Sequence, residues 1–309
     1  MKSVRDCFFK IKKNCFQFIK YQETSTNKFK NKDRMLKSYL IPLCFWISKK
    51  INKKKPLIIG VAGGQGTGKT TITSILSLIL RKYFKLNVFK LSIDDFYKTR
   101  NERRILSLTK HPLLMTRGVP GTHDHKIISN FLKNIKSKNF KSIKLPKFDK
   151  SIDDRCKKKL WYKVKSRPEI VILEGWCIGA KAQNNLKIKK PINSLERAKD
   201  PNLIWRKYVN TQLKTSYKKL FNYLDEIVYL KANNFKLLQE WRITQEKRLL
   251  LKSKSRNNLK IMSKDDVINF MQTYQRITQN MFKDAPKYAS IIFKLDSKHQ
   301  VNSAIYKKK

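Results

Sequence analysis

Leu57-Ile58-Ile59-Gly60-Val61-Ala62-Gly63-Gly64-Gln65-Gly66-Thr67-Gly68-Lys69-Thr70-Thr71 decides the fold. Its first six residues are an apolar run without a charge, the pattern of a short strand buried on both faces. Residues 63–70 satisfy G-x-x-x-x-G-K-[ST], and residues 71–83 repeat apolar side chains with a helical period. Strand, glycine turn and helix stand in the order a phosphate cradle requires. Glycines let the backbone turn tightly with its N–H groups facing inward, and the helix N-terminus adds its dipole. Lys69 is the cation for β- and γ-phosphates, and Thr70 offers its hydroxyl to Mg²⁺. Gly63, Gly64, Gln65, Gly66, Thr67, Gly68, Lys69, Thr70 and Thr71 form the expected nucleotide site, with ATP and Mg²⁺ as the expected ligands.

Working outward, further buried-strand patterns occur at 87–93, 169–173, 226–230 and 290–295. Helical patterns lie between them, at 201–224, through Trp241 and at 264–283. Residues 100–140 read as helical or irregular, punctuated by Gly and Pro at 118–121. Strands alternating with helices predict an α/β fold: a P-loop NTPase with a doubly wound, mostly parallel sheet flanked by helices. A helical lid is expected at about 245–262, where a Lys/Ser/Asn-rich stretch reads as mobile.

Two of these strands end in acids, at the sheet edge where open α/β folds bind ligands. One is Ile170-Val171-Ile172-Leu173-Glu174-Gly175-Trp176, with Glu174 placed to hold a metal-bound water. The other is Ser92-Ile93-Asp94-Asp95-Phe96-Tyr97. No Asn-Lys-x-Asp follows the P-loop, so a guanine-reading switch protein is not expected. A carboxylate near the γ-phosphate can instead take the proton of an attacking hydroxyl. Asp94 is expected to be that base, and Asp95 either a second acceptor contact or a helix cap.

The 309-residue chain carries 71 Lys+Arg against 22 Asp+Glu, a net charge of +49. With 40% apolar and 11% aromatic residues it is a folded protein rather than a disordered polycation. Only 16 of the basic residues fall in the first 55, so the charge is spread through the chain and marks no recognition arm. No specific nucleic-acid partner is expected, and an ATP-binding nucleic-acid protein is the least favoured reading. Five cysteines without a CxxC pair fit a reducing compartment, and a cytoplasmic location is expected. The apolar run at 39–47 is too short for a transmembrane segment. Residues 1–34 read as a basic, helical extension ahead of a kinase domain at 35–309. Within the extension, Val4, Phe8, Ile11, Cys15 and Phe18 form a stripe that either docks on the body or meets a membrane surface.

The order GGQGTGKTT, SIDDFYKT, Arg117-Gly118-Val119-Pro120-Gly121-Thr122-His123-Asp124, Leu145-Pro146-Lys147-Phe148-Asp149-Lys150 and ILEGW resembles the plant-type D-glycerate 3-kinase family and its bacterial P-loop relatives. That family is similar in turn to uridine kinase, phosphoribulokinase and pantothenate kinase. The resemblance covers about residues 35–300. It implies ATP-dependent phosphoryl transfer to a small acceptor, D-glycerate to 3-phosphoglycerate, with a nucleoside, sugar phosphate or other hydroxy acid as the alternative. By the same resemblance Lys69 and Asp94 are catalytic, Thr70 and Glu174 meet the metal, and Arg242 joins the nucleotide site. Arg117, His123 and Asp124 fall where that group builds its acceptor site. Asp95 and Tyr97, beside Asp94, are read from position as further acceptor contacts, with core packing the alternative for Tyr97. Arg117, Lys150 and Arg155 can each supply a cation for an acceptor carboxylate, and each also reads as surface charge. His123 and Asp124 can instead cap the helix that starts near Lys126. Oligomeric state is not legible.

Overall fold

The computed structural model describes residues 3–23, 28–52, 54–252 and 262–307. Its strands are β1 (Leu57–Gly63), β2 (Val88–Ser92), β3 (Ile143–Leu145), β4 (Phe148–Asp149), β5 (Asp154–Arg155), β6 (Tyr162–Val164), β7 (Ile170–Gly175), β8 (Glu226–Lys231), β9 (Ile291–Leu295) and β10 (Val301–Tyr306). Six of them make one sheet in the order β10-β9-β8-β1-β7-β2, parallel throughout except where β10 turns back on β9. All seven residues of β1 and all six of β7 are buried, which is why both read as continuous apolar runs.

Strand alternation divides the core in two. Ile59 and Val61 of β1, with Ile170 and Ile172 of β7, face the P-loop helix (Lys69–Lys82) and the N-terminal helices. Ile58 and Ala62, with Val171 and Leu173, face the helices at His125–Lys136, Ile204–Gln212 and Lys264–Tyr288. Both faces are covered, as a parallel sheet requires. The register sets Ser92 beside Glu174 and Glu174 beside Val61, so the carboxyl ends of β2, β7 and β1 open at one level.

The apolar stripe near the N-terminus is covered by protein. Helix Val4–Gln22 is capped by Ser3, whose Oγ accepts from the Asp6 amide at 3.0 Å, and it buries Cys7, Phe8, Ile11, Cys15 and Ile19 in the P-loop-helix core. Ile19 takes the place expected for Phe18, which is only half-buried. Tyr83 at the end of the P-loop helix donates to Asp6 Oδ2 at 2.6 Å, pinning one helix to the other. The run at 39–47 lies in helical segments Met35–Leu40 and Ile41–Lys49 and enters the same core. No helix among the described residues is long and apolar enough to cross a membrane.

Several elements differ from the sequence reading. The helix expected at 201–224 starts at Ile204, after Leu203 in a left-handed conformation (φ 62°), and reaches Phe221 through a π-helical turn, Leu213–Tyr217. The last long helix continues to Tyr288, with Pro286 tolerated in its final turn. Two small antiparallel ribbons, β3 with β6 and β4 with β5, were not expected, nor was β10. Of the lid expected at about 245–262, residues 253–261 lie outside the described residues.

Candidate active site

The cradle follows Gly63 at the end of β1. Gly66 adopts φ +79°, and a Cβ there would stand 2.9 Å from Trp241 Cβ, so the loop and helix Phe235–Lys252 pack too closely for any other residue. The Gly64 carbonyl accepts from Thr67 Oγ1 at 2.8 Å and from Lys69 Nζ at 2.9 Å, which folds Lys69 back across the loop. Burial lowers the Lys69 pKa, opposed by the carboxylates of Glu174 and Asp94. Gly68 precedes the P-loop helix and Thr71 sits in its first turn. The Gln65 Oε1 is buried with no hydrogen-bond partner among the described residues.

Thr70 Oγ1 donates to Glu174 Oε1 at 2.7 Å, joining the P-loop helix to the end of β7. Glu174 is buried, 4% exposed, and has no ion pair among the described residues. The two oxygens nominated for the metal are therefore brought together.

Asp94 stands in a 3-10 turn, Ile93–Phe96, directly after β2, with Ser92 Oγ accepting from its amide at 3.3 Å. Its Oδ1 accepts from Tyr97 Oη at 2.9 Å and its Oδ2 from Lys150 Nζ at 2.6 Å. Burial would raise its pKa; the Lys150 ammonium and the Tyr97 hydroxyl outweigh burial and bring it down to about 2. Asp95 points the other way. Its Oδ1 accepts the Phe148 amide at 3.4 Å, and burial pushes its pKa up to about 6. Asp95 thus anchors the β4–β5 ribbon rather than facing the cleft.

The segments around Tyr97 and His123 are zipped by backbone hydrogen bonds, Lys98 N–H to Thr122 O at 2.8 Å and Asp124 N–H to Phe96 O at 2.7 Å. The Tyr97 and His123 rings stack, centroids 4.5 Å apart. His123 is fully buried, and that burial lowers its pKa to about 4, so the ring is neutral at neutral pH. Tyr217 Oη accepts the Gly121 amide at 3.1 Å and lies 2.7 Å from His123 Nδ1.

The basic candidates differ in what they hold. Arg155 donates to Tyr97 O at 2.7 Å and to Asp124 Oδ2 at 3.2 Å, and Asp124 also caps helix His125–Lys136 through the Ile127 amide at 3.3 Å. Arg155 and Asp124, both nominated for the acceptor, are bound to each other and to scaffold backbone. Arg117 pairs with Asp153 and lies 5.5 Å over the Phe148 ring. Arg242 pairs with Glu246 one turn along its helix. Lys150 is 61% exposed and its partner is Asp94.

Two acids, a lysine and a hydroxyl at adjacent strand ends of a P-loop sheet match a phosphoryl-transfer site. No model of a known protein family matches the sequence. The chain is 30% identical over 256 residues to the uncharacterized kinase mug58 of Schizosaccharomyces pombe, covering 80% of this chain and 85% of that one. The chain belongs to the P-loop kinase family that includes plant-type D-glycerate 3-kinase. It is 29% identical over 228 residues to the chloroplastic D-glycerate 3-kinase of Arabidopsis thaliana, spanning 67% of this chain and about half (47%) of the plant protein. The D-glycerate 3-kinase structure from Cryptococcus neoformans has the same fold, with TM-score 0.71 and 24% identity over 87% of this chain and 97% of that one.

Three residues of this kinase escaped the sequence reading. Arg103 is completely buried; it donates to the carbonyls of Lys98 (3.2 Å), Met115 (2.7 Å) and Asp153 (2.6 Å) and pairs with the Asp153 carboxylate at 2.9 Å. Tyr217 orients His123. Tyr274 packs edge-on against Trp176, centroids 4.9 Å apart, and donates to Arg117 O at 3.2 Å, while Trp176 Nε1 donates to Gly118 O at 3.0 Å. Nothing in Arg100-Asn101-Glu102-Arg103-Arg104 distinguishes the buried arginine from its solvated neighbours.

Proposed function

We propose that this kinase transfers the γ-phosphoryl group of ATP to the 3-hydroxyl of D-glycerate, giving 3-phosphoglycerate and ADP. The observation that carries the reading is Asp94, an ionised carboxylate at the β2 edge whose flanking groups are Lys150 and Tyr97, next to the strand end that bears Glu174. A base beside a cation suits an acceptor that carries both a hydroxyl and an anion. Likeness to a plant D-glycerate 3-kinase favours glycerate among such acceptors.

In this reading the loop amides and Lys69 hold the β- and γ-phosphates, and Asp94 orients the acceptor hydroxyl and takes its proton as the oxygen attacks phosphorus in line. Thr70 Oγ1 and Glu174 offer only oxygen donors and face one another, a set that fits a hard cation bound mainly through phosphates and water. Mg²⁺ held there would neutralise charge on the phosphoryl oxygens. Little covalent work falls to the protein, so positioning and charge stabilisation supply most of the rate. Neutral His123, stacked on Tyr97, adds no positive charge beside Asp94.

An acceptor panel tests the assignment: D-glycerate, glycerol, a nucleoside, a sugar phosphate and pantothenate, with ADP release as readout and phosphorus NMR of the product. D-Glycerate is expected to give the highest kcat/KM, with the phosphate on O3. A larger kcat/KM with any other acceptor would replace glycerate while leaving the kinase chemistry in place.

A further inference from the structure

Of the three cations nominated around the acceptor, two already have carboxylate partners outside the reacting set. Arg117 is paired with Asp153, and Arg155 with Asp124 at 3.2 Å. Lys150 differs. It extends from the turn between β4 and β5, is 61% exposed, and its partner at 2.6 Å is Asp94 itself. The turn is firmly held from below, since the Phe148 amide binds Asp95 and Asp153 receives Arg103. The lysine side chain above it is long, unbranched and free to change partner without moving that backbone.

We infer that Lys150 is a specificity-determining residue that exchanges the Asp94 carboxylate for the carboxylate of the acceptor, so that an anionic acceptor frees its own base. With no anion in the cleft, Lys150 occupies Asp94 Oδ2 and competes with any hydroxyl for the lone pairs it must use. A bound carboxylate offers the ammonium a new partner, and Asp94 is then left with the Tyr97 hydroxyl on Oδ1 and an open Oδ2. Water or a neutral polyol provides no such partner, so the base stays covered. The device therefore selects hydroxy acids over neutral alcohols and also restrains wasteful hydrolysis of ATP. It rests on the proposed phosphoryl transfer at Asp94, and it extends that reading from which acceptor is bound to how acceptor charge is sensed.

Lys150→Met tests this in the full chain, with Lys150→Arg as the charge-conserving control. Three acceptors are compared by ADP release: D-glycerate, glycerol, and water alone. Lys150→Met is expected to lose about tenfold to a hundredfold in kcat/KM for glycerate, the value of one charge-assisted hydrogen bond, while turnover with glycerol and with water rises. Lys150→Arg should restore the glycerate preference and the low hydrolysis. A fall on all three acceptors in the same proportion would overturn the inference, because a merely structural lysine predicts that pattern. The water arm needs no knowledge of the acceptor. If the wild type ignores glycerate and hydrolysis still rises in Lys150→Met, the glycerate assignment fails and the exchange stands; unchanged hydrolysis overturns the exchange.

Discussion

Replacing Arg103 by Met keeps a similar volume and removes one buried guanidinium. Three carbonyls, those of Lys98, Met115 and Asp153, lose their donor, and the Asp153 carboxylate is left with Arg117 as its cation. Breaking a buried pair by removing one partner costs about 3–5 kcal/mol, and the 35% exposure of the Asp153 side chain favours the lower end. Taking about 3 kcal/mol and an unfolding entropy of about 2.1 cal/mol/K per residue, the midpoint should fall by about 5 °C for a chain of this size. Calorimetry measures the shift. Because Asp153 closes the turn that carries Lys150, KM for the acceptor should rise while KM for ATP stays close to the wild-type value. A midpoint within about 1 °C of wild type, with both KM values unchanged, would refute the burial and the anchoring role together.

Other predictions follow from the same contacts. His123 is depressed to about 4 from 6.5, so the unfolded chain binds the extra proton between those values. Its contribution is complete above pH 6.5 and is lost as pH falls toward 4, by about 2 kcal/mol at pH 5. Asp95, raised to about 6, binds its proton in the folded state over the same window and offsets much of this loss. Urea titrations of wild type and His123→Gln at pH 7 and pH 5 isolate the His123 part, the variant losing less on acidification than the wild type. Asp94, held at about 2, loses its contribution only below the ordinary carboxylate range and lies outside that window. Glu174→Gln should raise the Mg²⁺ concentration for half-maximal rate by about 10- to 100-fold with an unchanged melting temperature; an unchanged Mg²⁺ dependence would remove Glu174 from the metal site. Phe8→Ala, on the buried face of the N-terminal helix, should cost about 3–4 kcal/mol yet leave kcat intact well below the melting transition. A loss under about 0.5 kcal/mol would mean that this helix is not part of the core in solution.

The parallel sheet and the cradle were legible because their signals are local: an apolar run, a glycine turn and a helix follow one another without a break over residues 57–83. The acids at the ends of β2 and β7 were legible for the same reason. What joins them was not. Lys150 meets Asp94 across 56 positions, through a ribbon whose strands are only two residues long and carry no alternating pattern. Arg103 sits in a charged run that reads as solvated, and its burial comes from carbonyls brought in by three separate loops. Tyr217 reaches His123 across 94 positions from a π-helical turn, a geometry with no sequence signature in this stretch. Edge strand β10, Val301-Asn302-Ser303-Ala304-Ile305-Tyr306, is half polar because only one neighbour pairs with it. The cap that Asp124 gives helix His125–Lys136 was legible as an alternative in the sequence, whereas its pairing with Arg155 depends on where the chain returns, which residue type alone does not specify.

The most direct measurement is steady-state ADP release by Asp94→Asn with saturating ATP, Mg²⁺ and D-glycerate, alongside nucleotide binding by the same protein. A carboxamide keeps the shape and the Tyr97 contact and removes the base. Asp94→Asn is expected to lower kcat by about 10²- to 10⁴-fold with ATP affinity unchanged. Turnover within a few fold of wild type would contradict the role given to Asp94 and, with it, the proposed transfer mechanism.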